Sequence, residues 1–334
     1  MRSIVCKAPT QIEMVLQKNI DEIKDDEVMI KVKRIGICGT DIHAFKGEQP
    51  FLTYPRILGH ELSGIVKVKG NHVKHMNVGD VVTVIPYNHC GMCVACKNGQ
   101  TNCCTNMQVF GVHQDGGMTE YIKVPASNVL AVNDLSLDEA AIIEPLSVGA
   151  HAVSRSSVQK GETALIIGAG PIGLGVARFA KIAGAQTIIM DLSEERLKFG
   201  KSWAGSDFAI QANEVTAQKL LEINDGELPS VVFDATGNKE SMMNSFKYAS
   251  HGGSLIYVGL VNDTISFFHP DFHAKELSLL ASRNALKEDF EYVIQCFRKG
   301  LLNKSYITNK VSFDEACSFF EKGEFHSNKT LIEV

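Results

Sequence analysis

The second half of the chain alternates between two hydrophobic rhythms. "TALIIG", "QTIIMD", "SVVFDATG" and "GSLIYVG" are short apolar runs closed by Gly or Asp, the signature of buried strands. Between them lie stretches such as "SEERLKFGKSWA", in which apolar residues return with helical period. Strands alternating with helices predict a doubly wound parallel sheet. In the first unit an apolar strand runs into Gly168, Gly170 and Gly173, and apolar residues then recur at Ile172, Val176, Phe179, Ala180 and Ala183 as on one helix face. A second strand ends at Asp191. No internal repeat or low-complexity linker interrupts the chain, and its longest weakly polar run, Ala164 to Ala177, is too short and too rich in glycine to span a bilayer.

Composition bounds the class. With 334 residues, 45% of them apolar and 21% charged, the chain is long enough for two domains with ordinary buried cores. The N-terminus carries no apolar stretch of signal-peptide length, so a cytoplasmic protein is expected. A net charge of −5 without a long basic run argues against a nucleic-acid surface. Five of the nine cysteines fall between residues 88 and 104; in a reducing compartment such a cluster points to metal rather than to disulfides.

Three constellations carry chemistry. In "NHCGMCVACKNGQTNCC", Cys90, Cys93 and Cys96 stand at C-x-x-C-x-x-C spacing and offer three thiolates to a tetrahedral zinc. The fourth comes from Cys103 or Cys104, and spacing does not choose. Such a closed site would pin a loop too polar to hold itself by burial. Upstream, Cys38 of "GICGTDIHAFKG" and His60–Glu61 of "ILGHELSG" offer one sulfur, one nitrogen and one oxygen. Three protein ligands leave a fourth position for water or substrate, as in catalytic zinc sites. Thr40 and His43 follow Cys38 and suit a proton path to solvent. The third constellation is the turn Gly168-Ala169-Gly170-Pro171-Ile172-Gly173, between strand and helix, with Asp191 ending the next strand. There glycines let a pyrophosphate approach the helix N-terminus, and the acid receives the ribose hydroxyls, which favours NAD over NADP.

Taken together, "GICGTDIH", "GHELSG", the cysteine lobe, "DGGMTEY", "EPLSVGAHA", "GAGPIG" and "GGSLIYVG" resemble the zinc-dependent medium-chain dehydrogenases over essentially the whole chain. The resemblance implies an α/β architecture: a GroES-like, β-rich catalytic domain over residues 1–147 with the zinc lobe at 88–104, a Rossmann domain over 148–284, and a C-terminal return over 285–334. It places the active site between the two domains. In that family the fourth lobe ligand falls two residues after an asparagine, here Asn102, which makes it Cys104 and leaves Cys103 outside the metal shell. Glu144 stands where the alcohol-dehydrogenase branch has a zinc-binding cysteine. That resembles the polyol and threonine dehydrogenases and implies that Glu61 and Glu144 alternate on the catalytic zinc. The implied enzyme carries two zinc ions per chain, binds NAD with Arg196 packed along the adenosine, forms a homodimer or homotetramer, and oxidises a small secondary alcohol. The released proton leaves through Thr40 and the ribose to His43.

The stretch "SRNAL" is similar to family members that oxidise sugar acids of the galactonate type. Arg283 within it is expected to hold a substrate carboxylate, because a guanidinium fork matches a carboxylate in bidentate geometry. The bland alternative is an ion pair to Glu288, Asp289 or a neighbouring subunit. Three rival readings are a threonine-type dehydrogenase, a zinc-free quinone or enone reductase on the same fold, and a zinc-stabilised nucleic-acid module.

Overall fold

The computed structural model describes residues 1–20, 22–212, 216–323, 325 and 327–334. The chain divides into two compact units, Met1–Glu144 with Leu286–Val334, and Pro145–Ala285. The sequence reading put the breaks after residues 147 and 284; the compact units divide after Glu144 and Ala285, and residues 144 and 147 both lie inside the helix Ile143–Ser156. A continuous helical pattern hides a break that a loop would have marked.

In the first unit the strand Glu27–Gly36 buries Val28, Ile30 and Val32 at alternate positions, so one face belongs to the core. It pairs antiparallel with Glu61–Lys69, with Tyr121–Pro125 and with the C-terminal strand Thr330–Glu333. Among the described residues these belong to a seven-stranded sheet that also contains Val129–Ala131, Val81–Val84 and Asn309–Ser312. Ile4, Ile30, Leu58, Val66 and Phe320 are fully buried in its core. The return of the C-terminus matters for function, because it sets Leu331 opposite Gly36 at the end of that central strand.

The second unit holds a six-stranded, all-parallel sheet among the described residues. Its order is Phe208–Gln211, Gln186–Asp191, Thr163–Ile167, Val231–Asp234, Ser254–Tyr257 and Ser278–Ala281. Every residue of Thr163–Ile167 is buried, as expected of a parallel strand covered on both faces. The helix Pro171–Ile182 begins with proline at its first position and buries Leu174, Val176, Ala177, Phe179 and Ala180. The stretch "SEERLKFGKSWA" forms the helix Glu194–Phe199 and then widens into a looser turn over Gly200–Ala204. Among the described residues no helix is long and apolar enough to cross a membrane.

Candidate active site and metal centres

Cys38 stands just before the helix Gly39–Lys46, in extended geometry at φ −98° and ψ 157°. Three residues on, Asp41 turns its carboxylate back. Oδ2 accepts the N–H of Cys38 at 2.9 Å and Oδ1 that of Gly59 at 2.9 Å. Asp41 is 1% exposed, and two backbone donors offset much of the cost of burying its charge. One acid thereby ties the start of this helix to the residue before His60, and its Oδ1 lies 3.9 Å from His60 Nδ1.

Glu61 opens its strand as the cross-strand partner of Gly36. A Cβ on Gly36 would stand 1.8 Å from Glu61 Oε2, so only glycine leaves room for that carboxylate. The returning C-terminal chain brings Lys329 to the same place. Its Nζ donates to Glu61 Oε1 at 2.5 Å and to the Ile37 carbonyl at 3.0 Å. Lys329 is 1% exposed. Burial pulls this ammonium down, but Glu61 and Cys38 outweigh it and hold its pKa above the ordinary lysine range.

The Cys38 sulfur, a His60 ring nitrogen and a Glu61 carboxylate oxygen lie within 4.8 Å of one another. Among the described residues His60 Nδ1 has no hydrogen-bond partner, and neither has Glu61 Oε2, which is in ion-pair contact with Lys329. Burial lowers the His60 imidazole, yet Cys38 and Asp41 overcome it and raise the pKa well above the ordinary value. The surroundings therefore favour positive charge at their centre. Three donors of S, N and O type around buried polar atoms without hydrogen bonds fit a catalytic zinc.

Glu144 lies beside this set, near enough for its charge to act on His60, but does not join the three clustered donors. The buried Tyr87 phenol donates to its Oε1, and the Phe290 ring packs edge-on against Tyr87 at 6.2 Å. Burial pushes the Glu144 carboxyl up to about 7, against the pull of His60 and with the push of Glu61. The two carboxylates expected to alternate are thus held by different partners, Glu61 by an ammonium and Glu144 by a phenol. Thr40 is half-buried in the first turn of its helix, whereas His43 is exposed with Nδ1 2.7 Å from Glu48 Oε2. Tyr306, fully buried, has its pKa raised well above the ordinary value by burial and by the charges of Glu61, Cys38 and Glu144.

In the lobe, the sulfurs of Cys90, Cys93, Cys96 and Cys104 gather within 4.8 Å, while Cys103 is exposed and outside the group. None of the nine cysteines forms a disulfide. Backbone N–H groups already point at the sulfurs: Cys90 and Asn106 donate to Cys104 Sγ at 3.2 and 3.3 Å, and Cys96 to Cys93 Sγ at 3.5 Å. Donation by the N–H groups of Cys96 and Thr105 lowers the Cys93 thiol to about 5. Of residues 88 to 104 only Asn102 and Cys104 are buried. Four thiolates in so thin a segment fit a structural zinc.

In the second unit Gly168 takes φ +96° and its N–H donates to the Met190 carbonyl at 2.7 Å. A Cβ on Gly173 would reach 1.8 Å from the Gly168 carbonyl, so helix and strand meet only because it is absent. A Cβ on Gly170 would meet nothing within 4 Å. Space therefore lies open in front of the helix N-terminus, the place a pyrophosphate takes. Asp191 is engaged through both oxygens, Oδ2 by the Ala169 N–H at 2.7 Å and Oδ1 by that of Ser193 at 2.8 Å. Pro171, Ile172 and Arg196 are half-buried around this turn, and Arg283 is exposed in the loop after the strand Ser278–Ala281.

Sequence reasoning missed Asp41, Tyr87 and Lys329. Asp41 had a local signal, an acid three residues after the residue that starts a helix. The other two reach their partners only through the fold.

A metal-type donor set in a β-rich unit and a nucleotide-type turn in a doubly wound one define a two-unit oxidoreductase. Residues 24–134 match the alcohol dehydrogenase GroES-like domain and residues 171–299 the zinc-binding dehydrogenase family. Over 334 residues the chain is 39% identical to L-galactonate-5-dehydrogenase of Escherichia coli K12, covering 100% of this chain and 98% of that protein. It is 36% identical over 252 residues to sorbitol dehydrogenase of Bacillus subtilis 168, covering 72% of this chain and 70% of that one. The crystal structure of the short chain alcohol dehydrogenase rspB of E. coli CFT073, complexed with NADH, superposes with a TM-score of 0.92 at 32% identity, covering 100% and 99% of the two chains. The chain belongs to the zinc-dependent medium-chain dehydrogenases.

Proposed function

We propose that the chain oxidises a secondary alcohol of a sugar acid or polyol to the ketone, with zinc at Cys38, His60 and Glu61 and NAD as hydride acceptor. The observation that carries this reading is the sulfur, nitrogen and oxygen set, half-buried at Cys38 and buried at His60 and Glu61, in which His60 Nδ1 has no hydrogen bond among the described residues. Zinc, when bound, acts as a Lewis acid that lowers the pKa of a substrate hydroxyl. The protein's own residues do the rest. Asp41 fixes the backbone on either side of the donors, Lys329 holds Glu61 by an ion pair, and Thr40 and His43 pass the hydroxyl proton toward solvent; NAD, when bound, would accept the hydride from the carbinol carbon. A second zinc at Cys90, Cys93, Cys96 and Cys104 is structural. The strand Ser278–Ala281, last in its sheet and with Leu279 exposed, supports a homo-oligomer. The unpaired thiols support a cytoplasmic setting.

The test is metal analysis together with NAD reduction across aldonates, alditols and threonine. Two zinc per chain and fastest turnover of an aldonate or alditol are expected. A metal-free protein, or one active only as an enone reductase, would overturn the reading.

Substrate class turns on Arg283. Arg283→Ala should raise KM for aldonates by about 10- to 100-fold, the worth of a charged hydrogen bond of roughly 2 kcal/mol, and leave the matching alditols unchanged. Equal losses for both would assign the arginine to another task. Cofactor choice turns on Asp191, whose carboxylate repels a 2′-phosphate. NAD should exceed NADP by more than about tenfold in kcat/KM. Asp191→Asn, which keeps the side-chain size but can accept from only one of the Ala169 and Ser193 N–H groups, should narrow that ratio; an unchanged ratio would place discrimination elsewhere.

A further inference from the structure

Two buried carboxylates, Glu61 and Glu144, stand close enough to perturb each other, and a single divalent cation needs only one of them to complete the set with Cys38 and His60. Lys329 accounts for Glu61. The partner of Glu144 is Tyr87, and everything around that phenol fixes its position. Tyr87 begins the short hairpin strand Tyr87–Asn88, paired with Gln108–Val109. Its carbonyl accepts from Asn128 Nδ2 at 3.3 Å, and the same amide nitrogen donates to Ile85 and to Asn88 Oδ1, each at 2.9 Å. Phe290 braces the ring. Tyr87 is 9% exposed and Glu144 3%, so the bond between them is sheltered from competing water. A phenol has one proton to donate and here gives it to Oε1, which leaves Oε2 as an acceptor.

We propose that Tyr87 is a positioning residue: its phenol holds Glu144 beside the Cys38–His60–Glu61 set, so that Glu61 alone completes the metal donors and Glu144 is kept to accept hydrogen bonds from the hydroxyls of the bound alcohol. This rests on the zinc dehydrogenase reading above. Without the phenol, Glu144 is released to compete with Glu61 for the metal.

Cobalt(II) in place of zinc makes the coordination visible. In the cobalt-substituted protein, Tyr87→Phe, which keeps the ring against Phe290, should retain the metal and change the visible absorption of the catalytic cobalt. In the zinc enzyme, KM for the best aldonate or alditol should rise about tenfold while kcat falls by less. In the Glu144→Gln background the same Tyr87→Phe substitution should change neither. An unchanged spectrum, or equal effects in both backgrounds, would overturn the proposal. Glu144→Gln alone gives a second reading that does not depend on how Tyr87→Phe folds. It should raise KM and leave the cobalt spectrum as in the unsubstituted protein, whereas an altered spectrum would make Glu144 a metal ligand at rest and overturn the assignment. Failure of the dehydrogenase reading itself looks different: the unsubstituted protein would then take no cobalt at Cys38 and His60 and reduce no NAD.

Discussion

Cys38→Ser and His60→Ala are each expected to abolish NAD-dependent alcohol oxidation while leaving NADH binding within about twofold of the unsubstituted chain. Polarising the substrate hydroxyl contributes several kcal/mol of barrier lowering, so its loss should cost on the order of 10³-fold or more in kcat/KM. The two substitutions strike different donors of one set, and three protein donors leave no spare. The residues proposed to read the nucleotide, Gly168, Gly170, Gly173 and Asp191, all lie within Pro145–Ala285, whereas Cys38 and His60 belong to the other unit. Binding and turnover should therefore separate. NADH fluorescence reports the first and steady-state rates the second, with metal analysis showing one zinc where the unsubstituted chain holds two. His43→Ala should behave otherwise, slowing turnover and shifting its pH profile with both metals kept, because His43, exposed and paired with Glu48 outside both metal donor sets, is the group proposed to move the proton. Full activity after Cys38→Ser would remove the metal from the reaction.

The parts of this design that could be read from sequence are those whose partners are close in sequence or whose pattern repeats. The four inner strands of the parallel sheet announced themselves because each has a buried middle, and Thr163–Ile167 is buried at every residue. The cysteine lobe did so because its four clustered cysteines, Cys90, Cys93, Cys96 and Cys104, lie within fifteen positions. The first unit offered less. Strands such as Arg56–Ile57, Tyr87–Asn88 and Gln108–Val109 are two residues long, too short to show any period, so its β-rich character came from resemblance alone. Lys329 and Glu61 are separated by 268 positions, and a lone lysine near a C-terminus reads as solvated surface. Only the pairing of Thr330–Glu333 with Gly36 turns it into a buried counter-ion. Tyr87 was invisible for the same reason: its hydroxyl acquires meaning from Glu144, 57 positions away.

Removing one lobe thiolate should cost the protein its shape rather than its chemistry. Cys93→Ser or Cys96→Ser is expected to lose one zinc of two, lower the melting temperature by on the order of 10 °C and promote aggregation. The segment has little else to hold it. Among residues 88 to 104 only Asn102 and Cys104 are buried, and Met92 and Val94 are 71% and 76% exposed. Beyond Asn88, which ends the strand Tyr87–Asn88, its regular structure is one short helix, Val94–Lys97, and a single 3₁₀ turn, Thr101–Cys103, too little to repay the entropy of ordering the loop. Without a metal to bind, the gathered sulfurs lose the partner that would tie them together, so a chelator that strips the lobe should reproduce the substitution. The adjacent cysteines supply the internal control. Cys104 is buried in the sulfur group and receives two backbone N–H groups, whereas Cys103 is exposed outside it. Cys104→Ser should therefore behave like Cys93→Ser, and Cys103→Ser should keep both metals and shift stability by less than about 0.5 kcal/mol, as surface substitutions do. Metal analysis and thermal melting of the two neighbours decide the matter, since loss of zinc from Cys103→Ser with retention in Cys104→Ser would reverse the ligand assignment.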